Sequence, residues 1–139
     1  MDPEAVALAK RLENAHSATW SDLQVVDPEE AARYADLHGY VGDAPGIPPG
    51  YGAALTMRTV LVVLHDETIA LPFDRNVHAA QTLEWDEPLR ALSRITTTAR
   101  IGNVKLRARA VFFDVLTESI DERNRTCLRG TATQAVRHV

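Results

Sequence analysis

Cysteine is nearly absent, with Cys127 the single thiol in 139 residues. One thiol forms no internal disulfide and supplies no cysteine-based zinc site, so it reads as a small buried side chain. No run of about 18 apolar residues is present to span a membrane, and the N-terminus carries acids where a secretion signal carries bases. Basic excess is missing as well. The net charge is −4, and the arginines of the second half alternate with apolar residues instead of clustering, which excludes the broad positive field that a phosphate backbone needs. Neither nucleic acid nor membrane is expected as a partner, and a cytoplasmic location is expected. Glycine and proline number only 7 each, against 45% hydrophobic and 24% charged residues, a balance found in folded chains and not in disordered ones. The length suits a single domain over 1–139, with 1–20 as an N-terminal helix and lead-in.

What is present is periodicity. Asp2 can cap a helix that starts with Pro3 and Glu4, and Ala5, Leu8, Ala9 and Leu12 fall on one stripe. Leu23 to Val26 has the β-branching of a short strand. Asp27, Pro28 and Glu30 then form a second helix start, with Ala31, Tyr34, Ala35 and His38 on one face and Gly39 as its stop. The stretch from Gly39 to Gly50 is too rich in glycine and proline for regular structure. From Tyr51 to His65 the chain is apolar almost all round, with Arg58 its one charge before His65. That length favours a helix over a buried strand, and a helix without a polar face is expected to be buried on nearly every side. After Pro72 the period becomes two. Ile95, Thr97, Ala99 and Ile101 define one strand, and Val104, Leu106, Ala108 and Ala110 a second, with Gly102-Asn103 read as the hairpin turn between them. Residues 121–124 separate a further strand bearing Leu128, Ala132 and Val136, and Thr82 to Trp85 adds another that ends before Pro88.

The expected architecture is therefore α+β, a long central helix wrapped by a curved antiparallel sheet, which is the hot-dog fold. Four segments carry a resemblance to a known family: the helix Pro28–His38, the Pro48-Pro49-Gly50-Tyr51 approach to the central helix, Val77 to Trp85 running into Glu87-Pro88-Leu89, and Arg129 to Thr133. From about Val26 to Arg137 the chain resembles the MaoC-like hydratase/dehydratases, in particular the non-catalytic module found as their N-terminal half or partner subunit. The resemblance implies an acyl thioester of coenzyme A or an acyl carrier protein as ligand, reversible addition of water to an enoyl group, and a homodimer or heterodimer with a second hot-dog subunit whose sheet continues its own. It implies no cofactor.

Active members of that family place an aspartate and, five residues later, a histidine before the central helix, where the pair holds a water and exchanges its protons. Here Asp43 matches the aspartate, but Pro48 stands where the histidine belongs. The remaining candidates for acid/base work are His38, in a helix end where a packing or capping role competes, and His78, for which a structural hydrogen bond competes. Pro49, Gly50, Tyr51 and Gly52 are the expected acyl-thioester-binding segment: amides at a helix start can polarise a thioester carbonyl, or the segment simply begins a helix. Asp74 and His78 are too few for a metal site, and none is expected. Arg94, Arg100, Arg107 and Arg109 read as a solvated sheet face, with phosphate contacts as the alternative. Two other functions stay open, a thioesterase using Asp43 or Glu67 to activate water and a non-catalytic acyl-binding homodimer.

Overall fold

The first helix forms where its stripe predicts. In the computed structural model, which describes residues 2–37, 47–48 and 50–138, α1 runs Pro3–Asn14 and buries Ala5, Leu8, Ala9 and Leu12. Asp2 caps it by accepting the Glu4 amide at 3.0 Å. Strand β1 is Trp20–Val25, α2 is Pro28–Leu37 and the central helix α3 is Tyr51–Leu64. At about 1.5 Å per residue, α3 is roughly 21 Å long. A single 3-10 turn, Phe73–Arg75, leads into β2 Asn76–Trp85, followed by β3 Arg94–Leu106, β4 Ala110–Ile120 and β5 Thr126–Arg137. The strands form one antiparallel sheet in the order β1-β3-β4-β5-β2, and the α+β hot-dog arrangement follows.

The core divides along α3. Its C-terminal half (Val60, Val63, Leu64) packs with α1 against Ala99, Ile101, Val111, Phe113, Val115, Ala132 and Val136. Its N-terminal half (Tyr51, Leu55) packs with Val26, Ala31, Leu89, Ile95, Cys127 and Leu128. Burial of Cys127 matches the reading of its thiol as a packing group.

Three expectations are corrected. Gly102-Asn103 is not a hairpin turn: β3 runs straight through it, and the register with β4 slips between Gly102 and Lys105. The residue in the left-handed region is Asn103, at φ 53°, and its amide donates to Asp114 at 2.7 Å, so the pair makes a bulge that lets the alternation resume. The reversal comes instead at residues 107–109, where the Arg107 amide donates to the Ala110 carbonyl. Second, β2 begins at Asn76, not Thr82. It is a sheet edge exposed along most of its length, so no alternation of polarity marks its first half. Third, α3 is not buried all round, because Leu61 and Val62 are 41% and 49% exposed. The helix lies over β1, β3, β4 and β5, which leaves one flank open.

Candidate functional site: the mouth of the central helix

Glycine makes the close approach possible at the start of α3. A Cβ on Gly52 would lie 2.3 Å from Cη2 of Trp85 and 2.9 Å from Cδ2 of Leu128. The indole at the end of β2 therefore rests on the helix backbone, and any larger residue would push it away. Of the amides that the sequence offered as free, that of Tyr51 is already engaged, and so is that of Ala53 just after them. Tyr51 donates to the Pro48 carbonyl at 3.0 Å and Ala53 to the Gly50 carbonyl at 3.1 Å. Gly50 is exposed and Tyr51 is 1% exposed, so the segment reads first as a tight helix start.

The side chains around that start form a polar cluster that periodicity did not single out. Arg58 donates to Gln24 Oε1 at 3.0 Å and to Glu30, and Gln24, nearly buried, donates to the Leu55 carbonyl at 3.0 Å. This ties α2, α3 and β1 together. The Glu30 carboxylate is thus spent on an ion pair across helices and does not reach back to its own helix start. The Tyr51 hydroxyl is buried beside this cluster without a hydrogen bond of ordinary geometry among the described residues. Burial, and then the neighbouring Glu30 charge, push it above the usual phenol range, although Arg58 opposes the shift. Its ring meets that of Tyr34 edge-on, with centroids 6.1 Å apart at 69°.

The other candidates do not gather here. Asp43, His38 and Pro49 lie outside the described residues. Glu67 is exposed beyond the C-terminal end of α3, so it is remote from the helix mouth. Asp74 lies in the 3-10 turn and His78 in β2. The His78 imidazole is bonded to a side chain, not to backbone: Gln134 approaches its Nδ1 at 2.9 Å. Asp66, next to Glu67 in the chain, accepts the Thr68 hydroxyl at 2.6 Å, Trp20 Nε1 at 2.8 Å and the Thr68 amide at 2.8 Å, bonds that hold its carboxyl below the usual range. Arg94, Arg100, Arg107 and Arg109 are all exposed, and Arg100 lines a groove on the sheet with Glu118 and Arg129. Elsewhere Glu87, Asp121 and Cys127 bring three ligand atoms within 4.8 Å of one another. However, Asp121 already accepts the amides of Arg123 and Arg125. Burial, with Asp121 and Glu87 beside it, pushes the thiol up, away from the thiolate a metal requires.

No family model matches the chain. It is, however, 31% identical over 123 residues to a UPF0336 protein of Streptomyces avermitilis, an alignment covering 87% of this chain and 77% of the relative. The chain belongs to the UPF0336 family. Among solved structures, this UPF0336 chain is similar to HadBC, a 3R-hydroxyacyl-ACP dehydratase complex of Mycobacterium tuberculosis, with TM-score 0.71, 14% identity and coverage of 87% of this chain and 96% of that one. A MaoC-like dehydratase from Rhodospirillum rubrum gives TM-score 0.62 at 18% identity, covering 92% and 97%. A 1,4-dihydroxy-2-naphthoyl-CoA thioesterase from Synechocystis gives TM-score 0.62 at 13% identity, covering 86% and 81%. At such identities the likeness establishes the fold of this UPF0336 member, and the chemistry must be argued from its own residues. Among the described residues no helix is long and apolar enough to cross a membrane.

Proposed function

We propose that this chain is the acyl-binding subunit of an enoyl-thioester hydratase or 3-hydroxyacyl-thioester dehydratase, and that a homologous hot-dog partner supplies the aspartate and histidine. The observation that carries this reading is the composition of the helix mouth. A proline occupies the motif's histidine position in the sequence, and the described side chains around Tyr51 are a buried phenol, an ion pair and amides, with no imidazole to accept a proton from water. The open edge of β2 supports the partnership, because an unpaired strand edge is a ready surface for continuing a sheet into a second subunit. The comparison with HadBC adds support of the same kind, since that dehydratase is a complex.

The test is turnover of a crotonyl thioester. The isolated chain is expected to give no hydration, and the chain co-expressed with a hot-dog protein carrying the aspartate–histidine motif is expected to co-purify with it and hydrate the substrate. Robust hydration by the isolated chain would refute the division of labour. Release of free thiol from an acyl-CoA would replace it with a thioesterase.

A further inference from the structure

The alternation that buries Ile95, Thr97, Ala99 and Ile101 beneath the helices turns every second residue of the sheet to its opposite face. Cross-strand register sets these outward residues in rows. One row is Thr98 on β3, Glu118 on β4, Arg129 on β5 and Glu84 on β2, and the next is Arg100, Leu116, Thr131 and Thr82 in the same strand order. Between the rows, the backbone of Ala99, Thr117 and Gly130 makes a floor. The result is a groove of about 520 Å³ across four strands.

Two charges on its walls are left unanswered. Arg129 reaches Asp86 at 3.4 Å and Glu118 accepts the Thr126 hydroxyl at 3.4 Å, but Arg100 and Glu84 make no ion pair or side-chain hydrogen bond among the described residues. They stand at opposite corners of the groove, on β3 and β2 with β4 and β5 between them. At about 4.8 Å per strand that is about 14 Å, too far for the two to meet within one chain. The walls hold two bases and two acids, so the groove has no net sign with which to select a polyanion or a polycation. Apolar residues share the face. Leu116 and Ile120 are half-buried in the groove, and Leu23 and Val25 on β1, opposite Thr96 and Arg94, are 62% and 48% exposed.

We infer that this sheet face docks a second copy of the chain about a two-fold axis, with Arg100 of each copy against Glu84 of the other. An isologous contact makes every pair twice, so one rotation answers both unpaired charges. The size is sufficient: five strands about 4.8 Å apart, at about 3.4 Å per residue, present on the order of 800 Å², about what each partner of a stable interface buries. The apolar side chains supply the desolvated centre and the charges fix the register. The inference does not rest on the proposed function, because this face lies on the reverse of the sheet from the helix mouth.

The test is sedimentation equilibrium of the full chain at low salt, where exposed charges are least screened. Wild type is expected to associate to twice the mass shown by Arg100→Glu or by Glu84→Arg. Each variant brings like charges together twice and should weaken the contact about a hundredfold. Both positions are exposed, and Arg100 lies three strands from the β2 edge, so pairing along that edge persists in Arg100→Glu. Mixing the two variants should restore association, because each then offers the other the charge it needs, and the double variant Arg100→Glu/Glu84→Arg should associate with itself. Equal masses for wild type and Arg100→Glu overturn the inference, as do variants that stay apart when mixed. A doubled mass that requires a different hot-dog chain, and is lost in Arg100→Glu, overturns the second copy and gives the face to that partner.

Discussion

The two halves of α3 are packed for different purposes. Around its C-terminal half, Leu8, Leu12, Val60, Val63, Phe113 and Val115 pack against one another, and Thr59, next along the helix, is the one fully buried side chain of α3 there with a polar atom among the described residues. Around its N-terminal half, the apolar wall of Val26, Leu55, Ile95 and Leu128 is completed by a phenol, a glutamine, a glutamate and an arginine. Buried polar groups add little net stability and cost several times that when left unpaired. The difference teaches that the far half holds the molecule together, and that the mouth carries groups that stability alone would not select.

The comparison can be broken most severely in the apolar half. Phe113, 1% exposed, becomes a large cavity in Phe113→Ala, and a loss of about 3–5 kcal/mol in unfolding free energy is expected from denaturant titration. At the mouth, Gly52→Val would drive a side chain into Trp85, and an overpacking loss of about 1–3 kcal/mol is expected from the same measurement. A mutant as stable as wild type would mean that the indole is free to leave.

Acidity should separate the halves more gently, because they respond at opposite ends of the scale. The Asp66 carboxyl, beside Trp20 at the far end, is held below its ordinary value. Its contribution is fully present above the unfolded value of about 4 and is lost as pH falls through the folded one. Melting temperature should therefore drop less steeply with acid in Asp66→Asn than in wild type. Some slope will persist, because Glu122 is also lowered, by Ser93 and backbone amides. The Tyr51 hydroxyl is raised, so its contribution is complete below about pH 10 and is lost as pH rises through the folded value. Tyr51→Phe is expected to stay within about 1 kcal/mol of wild type at neutral pH and to flatten the alkaline fall. An unchanged fall would locate the sensitivity elsewhere.

How far the sequence reveals this division depends on which contacts are local. The stripe of α1 and the inward set Ile95, Thr97, Ala99 and Ile101 are buried as their spacing requires, because a helix face or a strand face is set by neighbours along the chain. Gly102-Asn103 misled for the same reason. Two turn-favouring residues say that the backbone deviates, but only the partner strand decides between a reversal and a bulge. In β2, an edge has one neighbour and little burial, so Asn76 to Gln81 show no alternation to read. At the mouth, Tyr51 and Gly52 were legible as the start of a long apolar helix, whereas Trp85 above Gly52 and Gln134 behind His78 arrive through cross-strand register. Glu30 was legible only as part of a capping box, and its pairing with Arg58 needed the crossing of α2 over α3.

The placement of the chain's two tryptophans has a practical consequence. Trp20 is hydrogen-bonded to Asp66 just past the C-terminal end of α3, and Trp85 stacks on the backbone at its first turn. Each indole is thus a built-in optical probe of a different end of the rod. Replacing either one with phenylalanine leaves a single emitter, so fluorescence can report whether a ligand or a second subunit perturbs the first turn while the opposite end stays dark to the event.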